Sequence, residues 1–190
     1  YCCDHDVPFV YTPCPMAGGT APTTLAGLLV QALTESLFGM VLSQIRKKGA
    51  NIIIGGLLSN MDMQTTVMAY GSPEMALLSA GYTDITKWLR IPMYNTACCS
   101  DSKMFDQQAV MEATLNTMIA MLCGGNMIHD VGYIESGLTS SPDMLVASDE
   151  IIGMAKRFMQ GVPVTMDSVP LRTIEEVGPG GHYLGTEHTL

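Results

Sequence analysis

The chain has 190 residues, 47% hydrophobic and only 14% charged, enough apolar side chain for one domain or a large piece of one. Its formal net charge of −9 argues against a nucleic-acid partner, because phosphate binding needs a basic face. Six cysteines without a Cys-x-x-Cys ladder or a secretory signal suit reduced thiols and a cytoplasmic location. Cys2, Cys3 and His5 lack a second ligand pair, so no metal site is expected.

A strand is predicted over 7–11, and the loop after it is rich in proline. Its core, Pro15-Met16-Ala17-Gly18-Gly19-Thr20-Ala21-Pro22, has neither the Lys-Ser/Thr of a P-loop nor a Gly-x-Gly-x-x-Gly spacing. The amides of Gly18 and Gly19, close to a helix start, are candidates to hold an anion such as a substrate carboxylate. Apolar residues at Leu25, Leu28, Leu29, Ala32, Leu33, Leu37, Met40 and Val41 then predict a helix that stops at Gly49. Gln31, Thr34, Glu35 and Ser36 interrupt it, which reads as a buried amphipathic helix and not a membrane span.

A second strand over 51–54 leads into a long loop that carries Asp62, and Ser72-Pro73-Glu74 opens the next helix as N-cap, first position and acidic first turn. A third strand over 91–97 runs into Cys98-Cys99-Ser100-Asp101-Ser102-Lys103, which gathers thiols, hydroxyls, a carboxylate and an amine at one strand end. Ser100 or Asp101 reads equally as the cap of a turn. A helix over 106–123 follows, closed by Gly124. The fourth strand, 127–131, contains His129-Asp130; neighbouring strand side chains face opposite sides, so only one of the two should point inward. A lone strand histidine also reads as a satisfied core residue. Glu135 and Ser136 follow, and Ser141-Pro142-Asp143 opens a helix through 159 that stops at Gly161. Gly178-Pro179-Gly180-Gly181-His182 is a turn that carries an imidazole or simply closes the chain.

Strands that alternate with long helices imply βαβ units and a parallel sheet. The helix-to-strand connections are tight, whereas the strand-to-helix loops are long and carry the unusual chemistry. In parallel α/β folds that end holds the active site. Four units are half of an eight-unit barrel, which takes about 250 residues; a four-stranded doubly wound domain is the alternative.

Several strings resemble the trimethylamine methyltransferase superfamily in order along the chain: Pro15 to Pro22 with Thr24-Leu25-Ala26-Gly27, Met61-Asp62-Met63, Tyr70-Gly71-Ser72-Pro73-Glu74, Asp101-Ser102-Lys103 with Asp106, Asp149 to Met154, and Glu176 to His182. The resemblance is to the C-terminal region of that superfamily. It implies that 1–190 form one domain, the C-terminal half of a (β/α)₈ TIM barrel. It further implies methyl transfer from a tertiary or quaternary amine to the cobalt(I) corrinoid of a partner protein, with no cofactor held covalently by this chain. Some members carry pyrrolysine at the position of Cys99; ordinary cysteine here resembles the members that act on quaternary amines such as glycine betaine. The candidate site is therefore Cys99, Asp101 and His129 for catalysis, with Asp62, Lys103, Asp130, Glu135, Gly18 and Gly19 for substrate. An open half-barrel would expose strand edges, so a homo-oligomer is expected, with neither membrane nor nucleic acid as partner. A non-catalytic barrel-derived binding module and a zinc-dependent corrinoid methyltransferase are the competing readings.

Overall fold

Four parallel strands, each followed by a helix, organise the computed structural model, which describes residues 1–190. In chain order the elements begin with β1 (Phe9–Tyr11), β2 (Met16–Ala17), α1 (Leu25–Arg46), β3 (Ile52–Gly56), β4 (Ser59–Asn60) and α2 (Pro73–Leu89). There follow β5 (Met93–Thr96), α3 (Gln107–Cys123), β6 (Met127–His129), β7 (Tyr133–Ile134), β8 (Thr139–Ser140), α4 (Pro142–Met159) and α5 (Leu171–Val177). The main sheet has the order β1-β3-β5-β6, all parallel. Spatial order equals chain order, so the sheet lacks the reversal at which a doubly wound fold makes its crevice.

Helix ends follow local chemistry closely. Thr24, Ser72 and Asp106 each cap the first turn of α1, α2 and α3 by accepting from an amide three residues on. Ser141 does the same for Met144 at 3.2 Å in α4. Gly124 ends α3 in the left-handed conformation, as expected of a C-cap glycine. The first helix stops earlier than Gly49, with Lys47 as its C-cap.

The helices pack side by side, α2 against both α1 and α3, and so cover one face of the sheet. Register and contacts tell the faces apart. Tyr11 and Asn95 point to the helices, Tyr11 against Gly39 of α1 and Asn95 onto Ser79 and Thr83 of α2. Tyr94, Thr96 and His129 share the opposite face, where Thr96 Oγ1 meets His129 Nε2 at 3.0 Å. On the helix side Leu28, Ala32, Leu78, Tyr82 and Met93 form one core, in which the Tyr82 hydroxyl donates to Ser36 Oγ at 2.6 Å. A second core joins Cys98, Ala109, Ala113, Ile134, Met144 and Ile151.

The structure departs from the sequence reading at α1. The buried stripe of α1 is Leu28, Ala32, Ser36, Gly39 and Ser43, while Val30, Phe38, Val41, Leu42 and Ile45 are exposed. The helix is apolar on several sides, and apart from Leu28 its fully buried stripe consists of small residues. The chain also divides into two units, Tyr1–Lys156 and Arg157–Leu190. The second unit contains α5, which carries no side-chain N-cap, a reason it escaped prediction.

The Tyr11 ring lies 2.5–2.6 Å from where a Cβ on Gly39 would stand. Gly39→Ala should therefore push α1 off β1 and lower stability by about 1–3 kcal/mol, the range for overpacking. Chemical denaturation of the two proteins measures this.

Candidate active site

All four long loops leave the carboxyl ends of β1, β3, β5 and β6, and short pairings tie them together. β2 pairs in parallel with β4, joining the loop after β1 to the loop after β3. Cys99 bridges to Tyr133, joining the loop after β5 to the one after β6.

The loop after β5 is the best anchored. Cys98, Cys99 and Ser100 have no exposed surface, and Cys98 turns the chain through a left-handed φ of 61°. Such a conformation costs roughly 1–3 kcal/mol and persists only where the surroundings enforce it. Here α3 enforces it. Asn116 Oδ1 accepts from the Cys98 amide at 2.7 Å, and its Nδ2 donates to the Cys99 carbonyl at 2.9 Å. One turn earlier, Glu112 Oε2 accepts from Ser100 Oγ at 2.6 Å and from the Asp101 amide at 2.9 Å. Neither Glu112 nor Asn116 was singled out from sequence. Their signal was available: they lie four apart on the face of α3 that carries Ala109, Ala113 and Ala120, where polar side chains need partners.

Asp101 is held so that its carboxylate faces two other loops. Oδ1 accepts from the Tyr70 amide at 2.6 Å and from Ser136 Oγ at 2.8 Å, and Oδ2 accepts from the Gly71 amide at 2.9 Å. These contacts commit both oxygens of the Asp101 carboxylate to the loops after β3 and β6. Asp62, Asp101, Lys103 and Glu135 line one cleft of about 270 Å³, with Thr65, Ser136 and Leu138. Asp62 caps its own turn: it accepts from the Gln64 amide at 2.9 Å and the Thr65 hydroxyl at 2.6 Å. The Thr65 hydroxyl and the Gln64 amide hold its carboxyl below the usual aspartate range. Glu135 accepts only from Thr139 Oγ1, at 2.9 Å, and the exposed Lys103 makes no salt bridge.

His129 and Asp130 form a separate group. His129 stacks on Tyr94, with centroids 3.9 Å apart and planes 4° from parallel. Its Nδ1 lies 2.8 Å from Asp130 Oδ1. Strand alternation predicted that the two side chains would face apart. They meet because β6 ends at His129 and Asp130 takes a φ of 68°, outside the pleat. Tyr70 stands between this pair and the cleft: its amide is on Asp101, its ring is where a Cβ on Gly137 would fall, and burial, then the Asp130 charge, push its hydroxyl pKa well up.

Other candidates are committed within the fold. The amides of Gly18 and Gly19 donate to the carbonyls of Ala21 and Met16 at 3.1 and 3.0 Å, so the turn itself uses them. Cys99 is wholly buried, and burial, then the charges around it, Asp130 foremost, raise its pKa well above the ordinary thiol range. No group of three or more His, Cys, Asp or Glu is arranged to hold a metal ion.

Residues 1–190 match the trimethylamine methyltransferase (MTTB) family from end to end. The chain belongs to this family. It is 36% identical over 174 residues to trimethylamine methyltransferase MttB of Methanosarcina barkeri, covering 92% of this chain and 35% of that protein. It is 33% identical to MttB of Desulfitobacterium hafniense (strain DSM 10664 / DCB-2), again over 92% of this chain and 35% of the relative. A glycine betaine methyltransferase of Desulfitobacterium hafniense (strain Y51) is 34% identical over 175 residues, 92% of this chain and 36% of the relative. The chain thus spans little more than a third of the length of these curated methyltransferases.

Asn116→Ala would leave the buried Cys98 amide and Cys99 carbonyl unpaired, with an expected loss of about 1–3 kcal/mol in a denaturation experiment. The pH dependence follows from Cys99. Its folded pKa is raised, so its contribution to stability is complete while the unfolded thiol remains protonated. Stability should fall as pH rises beyond the ordinary thiol value of about 8.5, toward the folded one. Cys99→Ala should flatten that alkaline decline.

Proposed function

We propose that the protein to which this chain belongs moves a methyl group from a methylated amine, preferably a quaternary one such as glycine betaine, to the cobalt(I) corrinoid of a partner protein. The observation that carries the reading is the cleft at the strand ends of a trimethylamine methyltransferase family chain, where the Glu135 carboxylate and the Lys103 ammonium stay uncommitted.

The chemistry asks little covalent work of the protein. The carbon–nitrogen bond breaks with its electron pair going to nitrogen, while cobalt(I) supplies the pair for the new cobalt–carbon bond. A quaternary nitrogen leaves as a neutral amine, so no general acid is needed. The protein orients the methyl group and keeps water out. Glu135 faces the ammonium end, and Lys103 takes a carboxylate where the substrate has one. His129 is held by Thr96 and Asp130 and takes no proton-transfer step on a quaternary substrate. The burial of Cys99 away from solvent fits an in-line displacement without a protein nucleophile.

The sheet favours a larger barrel as the setting. Its strands follow in chain order, β1 and β6 have open edges, and the face away from the helices bears Val10, Ile53, Tyr94 and Met127. In the proposed reading further βα units close this arc into a (β/α)₈ barrel, and the cleft opens at its carboxyl end. The relatives' greater length leaves room for those units.

The assay supplies full-length protein and cobalt(I) cobalamin with glycine betaine, other quaternary amines or trimethylamine. Methylcobalamin should form with a quaternary amine. Formation with trimethylamine alone would overturn the quaternary preference, and none with any amine would favour a binding module.

A further inference from the structure

Glu135, Ser136 and Gly137 have φ values of 52°, 54° and 80°, three successive residues in the left-handed region. Glycine accepts this freely, but glutamate and serine do not, and left-handed residues normally occur singly. Three hydrogen bonds hold the run, and all three acceptors lie in the segment 100–102. The Glu135 amide donates to the Ser102 carbonyl at 2.7 Å, and the Ser136 amide to the Ser100 carbonyl at 3.1 Å. The Ser136 hydroxyl donates to Asp101 Oδ1 at 2.8 Å. The same carboxylate holds the amides of Tyr70 and Gly71, and the Tyr70 ring lies 2.8–2.9 Å from where a Cβ on Gly137 would stand. The loop after β6 is thus shaped by the loop after β5, with Asp101 at the junction.

The product of that shaping is the placement of Glu135. It lines the cleft, yet it is neither used up on its own turn, as Asp62 is, nor surrounded by amides, as Asp101 is. We infer that Asp101 is a positioning residue, which acts through the Ser136 hydroxyl to hold a strained left-handed turn and so aim the Glu135 carboxylate at the ammonium of the substrate. The inference rests on the methylated-amine reading above and adds to it the residue that meets the cation and the pair that places it.

The test uses full-length protein and follows KM and kcat for a quaternary amine, direct binding by calorimetry, and the melting temperature. Glu135→Gln removes the charge and should raise KM at least about tenfold, the effect of losing a charge-assisted contact. Ser136→Ala keeps the disfavoured φ but loses the bond to Asp101, and should raise KM about tenfold with kcat little changed, the pattern of lost binding. Ser136→Gly also lacks the hydroxyl but tolerates the left-handed turn, so it should recover most of that loss. Asp101→Asn should behave as Ser136→Ala does. Should Asp101→Asn fail to fold, the two Ser136 variants decide alone.

Wild-type KM in Glu135→Gln or Ser136→Ala would overturn the inference while leaving the methylated-amine reading intact. Equal losses in Ser136→Ala and Ser136→Gly would overturn the route through backbone strain. A wild-type enzyme that acts on no methylated amine would sink the underlying reading, and the inference with it.

Discussion

The backbone of Cys98, Cys99 and Ser100 runs through a region without solvent, so its amides and carbonyls must find partners within the protein. Two side chains of α3 supply several of them. Asn116 pairs with the Cys98 amide and the Cys99 carbonyl just beyond the end of β5, on the side opposite the loop after β6, which takes the Cys98 carbonyl and the Ser100 amide. Glu112 collects the Ser100 hydroxyl, the Asp101 amide and the Gln108 side chain. A carboxylate among small residues is expensive to bury unless its oxygens are filled in this way. With the segment fixed, Asp101 can reach outward to the loops after β3 and β6. The cleft is downstream of a helix face that never touches it.

The legible parts of the structure were those whose signal is local. Ser72-Pro73, Asp106 with Gly124, and Ser141-Pro142 each state a helix boundary within a few residues, and the helices begin and end there. Four apolar runs placed four strands; three of the runs overshoot the observed strands, whereas β3 continues past its predicted end to Gly56. The order of the strands and the pairing of β2 with β4 depend on residues about forty positions apart, and no local pattern encodes that. The same limit governs the site. Asp62, Asp101, Lys103 and Glu135 could be chosen as chemically able residues at strand ends, and they do share a cleft. Which of them is free was not visible. The amides of Gly18 and Gly19 turn back on their own loop, and Asp130 folds onto His129 through a backbone angle that strand alternation does not allow for.

That division between committed and uncommitted charge bears on what the cleft can bind. A count of side chains gives three carboxylates and one amine, which would suit a strongly cationic ligand. Hydrogen bonds leave those charges in place but fix which groups can turn to a ligand. Asp101 answers two amides and a hydroxyl, and Asp62 answers an amide and a hydroxyl within its own turn. The groups with room to turn are one carboxylate, Glu135, and one ammonium, Lys103. On the proposed reading these two meet the opposite ends of a small zwitterion.

The proposed methyl transfer puts a further limit on how firmly a cation should be held. The substrate's positive charge is present at the start and disappears as the carbon–nitrogen bond breaks, so a carboxylate that binds the ammonium stabilises the ground state more than the transition state. A deeply buried ion pair would make that difference large, because low-dielectric surroundings strengthen it. Glu135 is only half-buried, shares its oxygen with Thr139, and lines an open cleft with Lys103. Solvent and the neighbouring ammonium both weaken its pull on a cation. On the proposed reaction this moderate hold is what the chemistry favours: enough attraction to orient the amine, with little charge stabilisation to lose when the methyl group departs.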